Sequence, residues 1–212
     1  MTINLEKLLM RPIDTFMYNG FRDFCTKLQE HNVKRILEIG SYAGESLQLF
    51  KKFLGEDIIV ICIDPWQDMP DENDILSKQN FNFVETQFNE NSRILHRYAK
   101  VKFMSQEIYE MFADGYFDCL YIDGLHTYEQ VKLDIQLYQS KVRNGGIISG
   151  HDYDIGFTEE QIQFFYDLNG NAIIRKNVTR AIHEFFNKED ISTFSDASWM
   201  TFKKIISYEN RI

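Results

Sequence analysis

Prolines are scarce in this 212-residue chain, three in all, and with only 11 glycines they leave no room for a Pro/Gly-rich linker or a low-complexity tract. No internal repeat is present, so the chain reads as a single domain over 1–212. Cysteines are few and odd in number. Cys25, Cys62 and Cys119 have no metal-type spacing, and Cys62 and Cys119 fall inside apolar runs, which fits buried free thiols in a reducing compartment. Positive charge is also in deficit, 23 basic residues against 32 acidic ones, for a net charge of −9. That balance argues against a nucleic-acid-tracking or membrane-coating face. The small cluster Arg175, Lys176 and Arg180 reads as solvated surface cations. The N-terminal stretch "MTINLEKLLMRPIDTFM" has no long apolar run, so neither a signal peptide nor a membrane span is expected, and a cytoplasmic location follows. Two phosphate-binding signatures are missing as well: the dinucleotide G-x-G-x-x-G and the P-loop lysine.

What is present is a rhythm. Phe16, Phe21, Phe24 and Leu28 recur at helical spacing and predict a helix over 14–31. "VKRILEIG" (33–40) and "DIIVICID" (57–64) read as strands around a helix at 44–54, the second apolar enough to be covered on both faces. A helix is predicted over 81–98, a third strand over 101–106, and a short helix near 107–113. The apolar run ending at Asp123 is a fourth strand, followed by a helix over 127–142 and a fifth strand within 143–153. Helices at 159–168 and 177–188 and two closing strands, "ISTFSD" and "SWMTFKKI", complete the pattern. Strands alternating with helices imply an α/β fold: a doubly wound, mostly parallel, seven-stranded Rossmann-like sheet with an antiparallel C-terminal hairpin. The polar segments 66–92 and 153–176 are expected to cap the rim.

In such sheets ligands bind beyond the carboxyl ends of the strands, so the strand tips carry the functional reading. The first tip is Glu38-Ile39-Gly40-Ser41, with Gly44 further on. Its glycines would admit a ligand close to the backbone, and its acid would suit a cationic group. The second is Asp64-Pro65-Trp66, whose carboxylate could accept two ribose hydroxyls and whose indole could stack on a ring or cover the core. The third carries Ser105 and Gln106, able to meet an adenine edge. The fourth carries Asp123 and His126, the fifth His151 and Asp152. Neighbouring parallel strands lie about 5 Å apart, so the two aspartates can converge on a hard divalent ion such as Mg²⁺, with His126 beside it as a proton acceptor. A plainer reading competes here: Asp123-Gly124 is a favourable turn, and Thr127-x-x-Gln130 is a capping box. It explains neither His126 nor the histidine and aspartate at the fifth tip.

"ILEIGSYAGES", "ICIDPW", "YIDGLHTYEQVKLDIQLY" and "NGGIISGHDY" together resemble class I S-adenosylmethionine-dependent methyltransferases. The similarity is to the small-molecule O-methyltransferases that include the macrolide-sugar (mycinamicin and macrocin) enzymes and the cephalosporin-hydroxylase-like proteins. The resemblance runs from Val33 to Asp152, and the stretch Lys176–Phe186 and the Trp199 strand also look like that group. It implies that Glu38, Gly40 and Ser41 line the methionine and ribose of the cofactor, that Asp64 holds the ribose, and that Ser105 and Gln106 border the adenine. It further implies Asp123 and Asp152 as metal ligands and His126 as general base, with a sugar or glycoside as acceptor and carbohydrate modification as the activity. Where the sugar enzymes carry an acid before the second aspartate, this chain has His151, a ligand type that favours a transition metal over Mg²⁺. Homo-oligomerisation is compatible with the resemblance. A metal-free N-methyltransferase, a nicotinamide-dependent oxidoreductase and a non-catalytic binding protein of the same fold are the rival readings.

Overall fold

The structure, a computed structural model, describes residues 15–69, 71, 74, 78–154, 156 and 168–204. Helix α1 (Thr15–Glu30) leads into β1 (Arg35–Ile39), α2 (Glu45–Leu54) and β2 (Ile59–Ile63). Then come α3 (Phe81–Ser92), β3 (Tyr98–Val101), the single-turn α4 (Ser105–Ile108), β4 (Phe117–Ile122), α5 (Tyr128–Tyr138) and β5 (Val142–Gly150). Helix α6 (Leu168–His183) and strands β6 (Ser192–Thr193) and β7 (Trp199–Phe202) follow. The seven strands form one sheet in the order β3-β2-β1-β4-β5-β7-β6, parallel from β3 to β5, with β7 antiparallel to both β5 and β6. This is the expected doubly wound sheet with its antiparallel C-terminal pair. The order reverses direction between β1 and β4, which opens the crevice where such sheets bind ligands.

The pleat of β4 divides the core in two. All six of its residues are buried, and successive side chains leave opposite faces. Cys119 and Tyr121 join Phe24, Leu28, Phe50 and Phe88 beneath α1, α2 and α3. Leu120 and Ile122 join Ile135, Tyr138, Ile182 and Trp199 beneath α5 and α6. Rings of Phe24 and Phe50 lie 5.6 and 5.4 Å from that of Tyr121, within the range of favourable tilted and edge contacts. The three cysteines are free and buried, and no helix among the described residues is long and apolar enough to cross a membrane.

Several boundaries differ from the sequence expectation. The third strand ends at Val101, not Gln106: Val60 pairs with Tyr98 and Ile63 with Val101. The apolar Phe103 that extended the apparent run is half exposed. Ser105 and Gln106 instead open α4, where Glu107 reaches back to accept the Met104 N–H at 3.0 Å. Helix α3 stops at Ser92 rather than near 98, because the chain must turn to bring Tyr98 into the sheet. Helix α5 ends at Tyr138 and tightens into a 3₁₀ turn at Gln139–Lys141. Helix α6 starts at Leu168 and ends at His183, earlier at both ends than 177–188. The N-terminal stretch 1–14, most of the helix expected over 159–168, and parts of both cap segments lie outside the described residues.

Candidate active site

On the β1 side of the crevice the rim is closed on itself. Glu38 is fully buried; one carboxylate oxygen accepts from Ser41 Oγ at 2.6 Å and the other from Ser46 Oγ. Burial pushes its pKa up to about 7, against the pull of those two hydroxyls. Glu38 therefore binds its own loop together. Gly40 has φ 90°, and a Cβ there would meet the Asp123 carbonyl oxygen at 2.1 Å, so this glycine lets the tips of β1 and β4 touch. Gly44 likewise faces the Phe88 ring. At both glycines the missing Cβ makes room for another part of the protein.

Asp64 does comparable work one strand away. Its Oδ2 accepts the Tyr42 N–H at 2.9 Å and its Oδ1 the Trp66 N–H at 2.7 Å. Each oxygen keeps a further lone pair, so hydroxyl donors could still be accepted there. Burial raises its pKa, and the two N–H groups oppose that rise. The Trp66 indole covers the core: its N–H donates to the Tyr42 carbonyl at 2.8 Å, and its ring centroid lies 4.9 Å from that of Phe88. Ser105 is buried and donates to Asp134 at 2.5 Å, while Gln106 is exposed. Gln130, expected to close a capping box with Thr127, turns its amide to Asp134 at 3.0 Å and Ser105 at 3.2 Å. Thr127 does cap α5, accepting the Gln130 N–H at 3.3 Å.

On the β4–β5 side, carboxylates and imidazoles crowd together. His126 Nε2 lies 3.4 Å from Asp123 Oδ1 and 3.1 Å from Asp152 Oδ2, and His126 Nδ1 lies 3.0 Å from Asp74 Oδ2. His151 Nδ1 is 3.4 Å from Asp152 and 4.0 Å from Asp123. Arg175, from α6, places Nε 3.7 Å from the other Asp152 oxygen. Asp152 adopts φ 58°, a left-handed conformation that aspartate tolerates better than most residues. Burial alone would lower both histidine pKa values, but the carboxylates outweigh it. His126 rises well above 6.5, chiefly through Asp152, Asp123 and Asp74, and His151 rises to about 9, through Asp152 and Asp123. Burial would raise Asp152; His151, His126 and Arg175 instead hold it far below the usual carboxylate range.

One ligand atom each from Asp123, His126 and Asp152 lie within 4.8 Å of one another, close enough to share one metal ion. Two hard oxygens with one imidazole are a donor set that divalent first-row metals accept. The sequence placed Asp123, Asp152 and His151 as ligands and His126 as base; the structure draws all four to one place, with His126 the more central imidazole. Two participants escaped the sequence. Asp74 sits in an aperiodic polar segment 52 residues before its partner. Arg175, read as a solvated cation, is buried against Asp152; its place on the apolar stripe with Ile174 and Val178 was the available signal.

A doubly wound sheet with this strand order, a glycine loop at its first tip, and acids and imidazoles gathered across the switch point has the architecture expected of a class I methyltransferase. Residues 37–153, more than half of the chain, match the family model described as a methyltransferase domain, and the chain belongs to that family of S-adenosylmethionine-dependent methyltransferases. No curated protein matches the sequence. Solved structures share the fold at low identity. A Staphylococcus aureus protein provisionally assigned as a caffeoyl-CoA O-methyltransferase superposes with a TM-score of 0.63 at 16% identity, over 93% of this chain and 88% of that one. The cofactor-bound Rv0187 from MTB gives 0.61 at 15%, over 94% and 86%. TomG from Streptomyces achromogenes, an O-methyltransferase of tomaymycin synthesis solved with S-adenosylmethionine, gives 0.57 at 11%, over 94% of each chain.

Proposed function

We propose that this methyltransferase acts on a hydroxyl of a small molecule, with a sugar or glycoside as the favoured acceptor, and that Asp123 and Asp152 hold a divalent metal while His126 receives the hydroxyl proton. The observation that carries the reading is the convergence of Asp123, His126 and Asp152 within 4.8 Å beside the β1 loop. The sugar rests on the sequence resemblance, and the O-methyltransferase names of structural neighbours agree with a hydroxyl acceptor.

A sulfonium methyl is electrophilic, so the acceptor oxygen has to shed its proton as the C–O bond forms and the C–S bond breaks. A divalent cation held by the two aspartates would supply Lewis-acid polarisation of that hydroxyl and offset the negative field that keeps His126 protonated. His126 Nε2 faces both aspartates and takes the proton, leaving S-adenosylhomocysteine and the methyl ether. Asp74 accepts from Nδ1 on the opposite edge of the ring, which fixes the tautomer with its lone pair toward the aspartates. Arg175 offsets part of the Asp152 charge. Glu38 and Asp64 hold the loops rigid on the cofactor side, so both partners meet in a preformed geometry. Asp74 and Arg175 come from the two segments expected to cap the rim, and side chains placed there would help keep competing water from the acceptor.

A second reading keeps the same rim for an amine. Three carboxylates around His126 could receive an ammonium group with no metal. Methyl transfer from S-adenosylmethionine to a panel of hydroxylated glycosides and amines, with and without EDTA, separates the two. Loss of hydroxyl methylation on chelation, restored by added Mg²⁺ or Mn²⁺, supports the metal-assisted reading. Amine methylation indifferent to chelator would replace it.

A further inference from the structure

The opposite ends of the same strands carry a different kind of hollow. A cavity of about 690 Å³ opens where β1, β2, β4 and β5 begin, lined among others by Lys34, Arg35, Arg97, Arg143, Asp57 and Asp118. The strands separate it from the methyl-transfer rim by about 13 Å, four residue steps of β1. Its volume lies in the range of small-molecule sites.

Four side-chain cations meet two carboxylates here, a local surplus of positive charge in a chain of net charge −9. Asp118 is buried and fully committed. Its Oδ2 accepts the Lys34 and Arg35 N–H groups at 3.0 and 2.9 Å, and its Oδ1 accepts Arg143 Nε at 2.8 Å. That contact uses Nε of the Arg143 guanidinium, while Nη1 donates to the Asn144 carbonyl at 3.4 Å. Arg35 is braced on its other side by the Tyr116 ring, 4.6 Å from the guanidinium carbon. Arg97 meets Asp57 at 3.7 Å, but Asp57 is almost wholly in water and screens it weakly. Among the described residues no ion pair holds the Lys34 ammonium. Solvated cations would splay independently into water. Here one buried carboxylate, Asp118, instead holds the Arg143 guanidinium by a hydrogen bond and has Arg35 Nε 3.8 Å away, and all four cations line one concavity.

We propose that this hollow is a second, non-catalytic site for a phosphate-bearing small molecule with at least two negative charges. Forked guanidinium groups match phosphate oxygens in pairs, and Lys34 and Arg97 add point charges at the rim. The site stands independently of the methyl acceptor's identity, since no residue of it lies at the catalytic rim.

The test is calorimetric titration of the full chain with inorganic pyrophosphate at low ionic strength, alone and with saturating S-adenosylhomocysteine. One equivalent should bind, undisturbed by S-adenosylhomocysteine and more tightly than orthophosphate. The double variant Lys34→Ala/Arg97→Ala removes only exposed cations, and its melting curve should match the parent. It should weaken pyrophosphate binding tenfold or more, and Lys34→Glu alone should weaken it measurably. Absence of saturable binding to the parent, binding unchanged in both variants, or displacement by S-adenosylhomocysteine would each overturn the assignment.

Discussion

The two halves of the rim use carboxylates in opposite ways. On the β1–β2 side each oxygen of the two tip carboxylates is met by a donor, Glu38 by Ser41 and Ser46 that follow it, and Asp64 by Trp66 that follows it and by Tyr42 of the β1 loop. On the β4–β5 side Asp74, Asp123 and Asp152 converge on one imidazole, with His151 and Arg175 at the edge. The first arrangement satisfies itself and makes a rigid cradle. The second gathers like charges that repel unless a cation or a proton stands among them. Titratable groups crowded this way beside a crevice mark a candidate reactive centre, and under the proposed function the contrast would separate the half that holds the cofactor from the half that changes the acceptor.

The largest expected effect follows from that separation. His126→Ala should lower turnover by about 10²- to 10⁴-fold, the usual share of a general base, while S-adenosylhomocysteine affinity changes less than threefold. Single-turnover rates and calorimetry on the same preparation read both quantities. Equal loss of both would show that the halves are not separable. The next effect is a pH dependence that differs between them. Glu38 keeps its proton in the fold to about pH 7, whereas in the unfolded chain it ionises near its ordinary value. Between those values the folded state binds more protons, so stability falls as pH rises through that window, by about 3 kcal/mol in all. His151, raised to about 9, contributes stability that is complete below its unfolded value and is lost as pH rises from roughly 6.5 to 9. Urea denaturation of the metal-free chain from pH 4 to 9 should show both declines. Glu38→Gln should flatten only the lower one; a lower decline that persists in this variant would remove Glu38 as its source.

Why one half was easier to read than the other is itself physical. Strands β1 and β4 are largely buried on both faces, β2 mostly so, and all three announce themselves as apolar runs closed by Gly40, Asp64 and Asp123. The rule that ligands gather beyond parallel strand ends then placed Asp123, His126, His151 and Asp152 together without any contact information. β3 lies at the sheet edge, and its four residues are all half-buried. Its pattern was weak enough for the half-exposed Phe103 to shift the reading. Asp64 and Glu38 were located correctly on their tips, but their partners are backbone N–H groups and loop hydroxyls that no residue pattern reveals. Asp74 was invisible for a stronger reason: its segment has neither period, and only the tertiary fold brings it to His126. Arg175 was misjudged because net charge says nothing about which cation is buried.

Asp74 offers a finer cut through the reactive half. If it orients His126 and does not react itself, Asp74→Asn should retain an acceptor for Nδ1 but lose the charge, lowering turnover by about 10-fold. Asp74→Ala, which removes both, should approach 100-fold. The pH–rate profile should also shift, because loss of the carboxylate lets His126 give up its proton at lower pH. A purely structural role would lower stability and leave that profile in place.

Thr127 probes the smallest effect, the turn that delivers His126. Its hydroxyl accepts the Gln130 N–H and starts α5 one residue after the imidazole. Thr127→Ala should cost about 1 kcal/mol in urea denaturation, with Thr127→Ser restoring most of it. Turnover should fall a few-fold, since the strand end three residues before His126 remains tied by the Asp123 N–H donating to the Ile39 carbonyl at 2.8 Å, and the His126 ring is still held by Asp74. A turnover loss approaching that of His126→Ala, with stability intact, would mean that the hydroxyl itself belongs to the reaction. The reactive half would then extend from the β4 tip into the first turn of α5.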